Sequence, residues 1–314
     1  MDIGQPFVQL PYTFDAERLA QEVAGIDAAA WMPHPQRLDG NSAVALISKD
    51  GADNDDFSGK MAETPHLSGC EYLRQVLASF DEVLGRSRLM KLAAGAEVAL
   101  HVDFNYHWYT RVRIHIPIVT NPRVTFYCAD QKTHMAAGES WIFNAWRRHR
   151  VSNESDEDRI HLVVDTAGSA RFWNMLRDTV AGNASAIAVP FEPARQVQIR
   201  TEQYNVPDVM APGEVDALVA DLIRDFEFNP KNDKALVAKY RSLLVEFSKD
   251  WRQLWLQFGN EETARPHYQA AIDKVYAALE PDRRALVTQS NDIGVNPVIV
   301  QRILRSALAD QDEG

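Results

Sequence analysis

The chain has 314 residues and 46% hydrophobic content, enough for one large folding unit or two smaller ones. A formal net charge of −11 repels a phosphate backbone, and no run of lysine and arginine interleaved with aromatics offsets it, so nucleic acid is not expected as a partner. Nothing reaches the roughly 18 apolar residues of a membrane span, and the N-terminus lacks a basic, apolar leader. Cys70 and Cys128 are too few for a disulfide framework, so idle buried thiols and a cytoplasmic address are expected.

In chain order, residues 14–28 carry Leu19, Val23 and Ile26 at helical spacing, with Asp15 as a cap. Residues 43–48 read as a buried strand and 50–66 as a polar surface loop. Residues 70–85 read as an amphipathic helix stopped by Gly85. From 88 to 166 the chain breaks into short strand-like runs separated by turns, which predicts a barrel or sandwich. Beyond 168 helical spacing dominates, over 213–227, 233–248, 263–280 and 296–309. Two regions are therefore expected, 1–168 and 169–314. The stripe Trp251, Leu254, Trp255 and Phe258 is expected in the core of the second, with dimerisation through an exposed part as the alternative.

The first chemical signal is His101-Val102-Asp103. Residues two apart on a strand share a face, so imidazole and carboxylate are presented together. His149, 46 residues after Asp103, is the candidate third ligand. Two histidines and one carboxylate leave positions on iron(II) open for a chelating cosubstrate and for O2. The second signal is the strand 111–118: its even positions are aliphatic, while Arg111, Arg113, His115 and Pro117 share the other face. A third strand, 159–165, repeats the pattern with Arg159 and His161. Buried guanidinium groups need anions, and the planar fork of arginine suits a carboxylate. Arg159 therefore fits the far carboxylate of 2-oxoglutarate, and His161 is a candidate pocket residue. His34, His66, His134 and His267 read as surface residues.

Taken together, KLAAGAEVALHVD, RVRIHIPIV, the Ala137-Gly138-Glu139 turn before WIFN, His149 and RIHLVVD resemble the aspartyl/asparaginyl β-hydroxylase family of iron(II)- and 2-oxoglutarate-dependent oxygenases. Bacterial proline hydroxylases are similar in architecture. The resemblance implies an α+β protein: a double-stranded β-helix (jelly-roll, cupin-like) barrel with supporting N-terminal helices and a helical C-terminal region. It implies iron(II) on His101, Asp103 and His149, with Arg159 and His115 on the cosubstrate side, Arg113 on the cosubstrate or substrate side, and Arg88 toward substrate. Met90 stands where a polar cosubstrate contact would be expected. The aromatic insertion 104–109 is expected to form part of a lid, with His107 and Trp108 reaching substrate. Arg88, Arg111, Arg113, Arg147 and Arg148 together imply a substrate with at least one carboxylate, either a small molecule or a peptidyl residue. Two alternatives stay open: a cupin-type metalloenzyme that uses no 2-oxoglutarate, and a non-catalytic binding protein.

Overall fold

The computed structural model describes residues 2–33 and 39–309; His34 lies outside the described residues. Its strands are β1 Phe7–Gln9, β2 Tyr12–Phe14, β3 Met32–Pro33, β4 Asn41–Lys49, β5 Met61–Glu63, β6 Val83–Leu92, β7 Glu97–His101, β8 Val112–Val119, β9 Val124–Cys128, β10 Gln131–Thr133, β11 Trp141–Phe143, β12 His149–Asn153, β13 Arg159–Thr166, β14 Ile187–Val189 and β15 Arg200–Thr201. Its α-helices are α1 Ala16–Ala24, α2 Pro65–Ser68, α3 Glu71–Ser79, α4 Tyr106–Thr110, α5 Ala170–Val180, α6 Pro212–Glu227, α7 Lys234–Phe258, α8 Arg265–Ala278, α9 Val295–Val298 and α10 Arg305–Ala307. Among the described residues no helix is long and apolar enough to cross a membrane.

Two compact units form, residues 1–103 with 110–205, and residues 104–109 with 206–314. They part near 205 rather than 168. Phe172 and Leu176 of α5, with Ile199, are buried in the core of the first unit, and β15 extends its sheet by pairing with β6. Burying such side chains contributes about 1.5–3 kcal/mol each, more than the helical spacing of that segment could decide.

The first unit is built on a nine-stranded sheet and a four-stranded sheet. In the large sheet β1, β11, β8, β13, β6, β4 and β3 are neighbours in that order, with β15 on β6 and β5 on β4. The small sheet runs β10, β9, β12, β7. Pairing within both is antiparallel except for β15 with β6. The alternation expected for 111–118 and 159–165 is realised. Ile114, Ile116 and Ile118 of β8, with Leu162 and Val164 of β13 and Leu89 of β6, enter the main core, together with α1 and α3. The opposite face of the same strands meets the small sheet, where Leu92, Val124, Phe126 and Val151 form a second apolar cluster. The functional side chains lie between the sheets.

Two local differences from the sequence expectations have clear causes. Asp15 caps α1 as expected, accepting from the Arg18 amide at 3.0 Å. The helix begun at Glu71, however, ends at Ser79, and Gly85 lies inside β6. Asp81 turns the chain with φ 50°, and pairing of β6 with β4 and β13 on both sides makes 83–92 a strand. Gly85 serves a close approach instead: a Cβ there would meet the Glu202 carboxylate at 3.1 Å.

In the second unit, α6, α7 and α8 bury Leu222, Phe226, Leu244, Phe247, Trp251 and Tyr268. Of the expected aromatic stripe only Trp251 is fully buried; Leu254, Trp255 and Phe258 are half-buried. The last predicted helix is interrupted by a π-helical stretch, Ile299–Leu304. The aromatic insertion packs in this unit: Tyr106 donates to Glu214, and Arg302 Nε donates to the Phe104 carbonyl at 3.2 Å.

Candidate metal centre and anion pocket

The register of the small sheet assembles the candidate ligands. His101 at the end of β7 and His149 at the start of β12 are direct Cα partners, and their rings lie 4.1 Å apart. Asp103 follows β7, tethered by its amide to the Ala145 carbonyl at 2.9 Å. Its two carboxylate oxygens lie 3.7 Å from His101 Nε2 and 3.8 Å from His149 Nε2. The three ligand atoms all fall within 4.8 Å of one another.

Both imidazoles are preset in the same sense. His101 Nδ1 sits 2.7 Å from the Ala99 carbonyl and His149 Nδ1 2.9 Å from the Arg147 carbonyl. An Nδ1–H donated to a carbonyl leaves Nε2 with its lone pair toward Asp103, the tautomer a metal ligand requires. Burial lowers the pKa of His149, with Asp103 opposing and His101 reinforcing the shift. This donor set, two imidazoles and one carboxylate on one side, suits iron(II) and leaves coordination positions for other ligands.

The interior face of the large sheet carries the arginines and histidines, and the structure sorts them. Arg113 and Asp165 are Cα partners on β8 and β13, and the Arg113 fork donates to both carboxylate oxygens at 2.7 and 2.8 Å. Burial opposes the charge of Arg113, but the attraction and hydrogen bonds of Asp165 outweigh it and raise its pKa. Arg88, expected toward substrate, donates to Asp55, and Arg86 donates to the same carboxylate oxygen at 2.9 Å. Burial, with repulsion from Arg86 and Arg113, pushes Arg88 down to about 9. Arg111 is engaged by Glu202 at 2.7 and 2.9 Å. His107 and Trp108 are buried against one another in the second unit, with ring centroids 4.9 Å apart.

Arg159 differs from these. It is 6% exposed, its Nε has no hydrogen-bond partner among the described residues, and Nη1 reaches only the Met90 carbonyl at 3.5 Å. Burial alone pushes it down to about 10, with no acidic neighbour opposing. Beside it lie His115 and His161, both buried, with no partner for either ring nitrogen among the described residues. Phe126 stacks on His161 at 5.3 Å, and Phe143 lies 5.0 Å from His115. Apolar rings thus pack around one buried cation with no acidic neighbour and two buried imidazoles.

Sequence reasoning missed Arg86 and Asp55. The spacing Arg86-Ser87-Arg88 was the available signal for the first, since both arginines share a strand face. Asp55 sits in a segment whose composition says only loop. His66 and His134 are half-buried rather than exposed; His66 pairs with Asp53 and His134 Nδ1 meets the Val124 carbonyl, both at 2.9 Å. Cys70 and Cys128 are buried and free, and burial pushes each thiol up to about 11.

Comparison with known proteins bears on this segment. Residues 47–168 match the Aspartyl/Asparaginyl beta-hydroxylase family. L-proline cis-4-hydroxylase of Rhizobium meliloti is 24% identical over 173 residues, covering 52% of this chain and 62% of that protein, so less than two thirds of this relative is spanned. Among solved structures, a 2OG-Fe(II) oxygenase family oxidoreductase from Burkholderia pseudomallei is 15% identical, covering 52% of this chain and 85% of that one, with TM-score 0.37. A Pseudomonas putida prolyl-4-hydroxylase is 14% identical, covering 52% and 92%, with TM-score 0.34. The stretch that matches this family model contains His101, Asp103, His149 and Arg159, so the similarity falls on the segment that builds the site.

Proposed function

We propose that this protein is an iron(II)- and 2-oxoglutarate-dependent hydroxylase acting on a carboxylate-bearing amino acid, amino-acid derivative or peptidyl residue. The observation that carries this reading is Arg159, a buried guanidinium with no acidic neighbour, in the same interior as a His-Asp-His ligand set. An uncompensated buried cation costs several kcal/mol, and a carboxylate that enters with the ligand removes that cost. The two antiparallel sheets support the finer reading of a double-stranded β-helix. The amino-acid substrate class is favoured by the names of the matched family and of the Rhizobium relative.

His101, Asp103 and His149 would hold the iron through two Nε2 atoms and one carboxylate. Iron(II) together with the keto acid supplies the oxidation: O2, substrate and 2-oxoglutarate give hydroxylated substrate, succinate and CO2. The chain's own part is positioning. Arg159 holds the far carboxylate of the cosubstrate, and the carbonyls of Ala99 and Arg147 keep the ligand imidazoles in register. The apolar rings of Phe126 and Phe143 exclude water from this interior. Arg86 and Arg88 are the cations for a substrate carboxylate, exchanging Asp55 for it.

Anaerobic addition of iron(II) and then 2-oxoglutarate tests the reading. A weak visible charge-transfer band should appear in the wild type, vanish in His149→Ala and weaken in Arg159→Ala. If iron binds and no band forms, 2-oxoglutarate is not the cosubstrate and a cupin-type metalloenzyme takes its place.

A further inference from the structure

We propose that His161 is a second donor to the far carboxylate of the keto-acid cosubstrate, acting beside Arg159 on the same face of β13. The inference rests on the proposed function and adds a residue to it.

Four observations carry it. His161 is 0% exposed, and neither ring nitrogen has a partner among the described residues. Buried polar groups are almost always hydrogen-bonded, so an imidazole with two unmet nitrogens marks a place where something else binds. Second, His161 stands two residues from Arg159, and side chains two apart on a strand share a face. Third, neither Cα partner of His161 in the sheet carries a side-chain donor. The Cα partners of His161 are Met90 on β6 and Pro117 on β8, and the thioether of Met90 replaces the polar contact expected there. Fourth, the stacked ring of Phe126 forms an apolar wall that fixes the imidazole plane at 20° to its own.

The chemistry is that of a neutral donor. Burial, with Arg159 and His115 nearby, holds the pKa of His161 well below its ordinary value, so the ring carries one N–H and no charge. A carboxylate between Arg159 and His161 accepts from a cation and from a neutral N–H. It is held by more than one donor while adding only one negative charge to an apolar interior. A keto acid lacking the far carboxylate leaves both groups unmet, so the pair selects a dicarboxylate.

The test uses the full chain loaded with manganese(II) and measures binding by calorimetry of two probes, 2-oxoglutarate and oxalate. Oxalate chelates a metal but has no far carboxylate. His161→Phe keeps the ring against Phe126 and removes both nitrogens; it should weaken 2-oxoglutarate about tenfold or more while oxalate changes by less than about twofold. His161→Gln, which restores an amide donor, should return 2-oxoglutarate to within about threefold of the wild type. Unchanged 2-oxoglutarate binding in His161→Phe overturns the inference and leaves the proposed function standing. Parallel loss of both probes also overturns it, because the residue then only supports the fold of the pocket. If the wild type binds oxalate but not 2-oxoglutarate, the proposed function fails, and this inference with it.

Discussion

Along β13, Asp165 and Arg159 lie six residues apart, about 20 Å at strand spacing, and look into the same interior. At the Asp165 end the protein supplies its own counter-charges: Asp165 takes the fork of Arg113 and lies 3.9 Å from Arg86 Nε, while Asp55 bridges Arg86 and Arg88. At the other end Arg159, His161 and His115 face phenylalanine rings. Both ends bury cations, but only the first contains anions. The difference teaches that burial of charge does not by itself make an open site: at the first end a ligand must displace Asp55, whereas at the second it meets a cation with no acidic neighbour.

The largest effect that would break this contrast is on stability. Replacing Arg113 by Met removes the bidentate partner of a fully buried Asp165 and should destabilise the protein by about 3–5 kcal/mol in denaturant unfolding. A loss under about 1 kcal/mol would mean that Arg86 takes over, and that the compensated end is a redundant network.

Arg159→Met should behave in the opposite way. Removing a buried cation that has no anion leaves the ligand-free protein as stable as before or more so, while 2-oxoglutarate binding falls about 10- to 100-fold with the loss of charge-assisted hydrogen bonds. Calorimetry with 2-oxoglutarate and a denaturant curve on the same variant separate the two effects. Clear destabilisation would show that Arg159 has a structural partner.

The smallest effect is on pH dependence. His161 and His115 have folded pKa values well below 6.5. Below about pH 6.5 the unfolded chain therefore holds protons that the folded chain does not, and stability falls as pH falls. Above that pH both states are neutral at these residues and the dependence vanishes. The slope reaches about 1.4 kcal/mol per pH unit for each histidine. His161→Phe should flatten the curve by one such contribution, and an unchanged slope would place the acid sensitivity elsewhere.

Much of this was legible from short-range pattern. The aliphatic face of β8 and β13 is where alternation put it, because successive side chains of a strand point to opposite faces whatever its neighbours are. The grouping of His101 with Asp103 follows from the same period, and the structure adds His149 to them. Other features were hidden for physical reasons. Gly85 looks like a helix stop because glycine is common there, but its neighbour is Glu202, brought in by a strand more than a hundred residues away. The ion pair of Arg111 with Glu202 spans 91 residues in the chain. The strand β12 was read only as the place of His149, since HRVSN has little β character without β9 and β7 on either side.

Residue types and spacing were enough to group His101 with Asp103, to offer His149 as a candidate third ligand, and to mark the cationic strands and the aliphatic faces, because these depend on backbone periodicity and on the intrinsic chemistry of side chains. Strand register in the folded sheet decided which cations meet an anion. Arg113 lies opposite Asp165, whereas Arg159 lies opposite Leu92. The free energy of a buried charge depends on its partners within a few ångströms, and only the folded chain sets those distances.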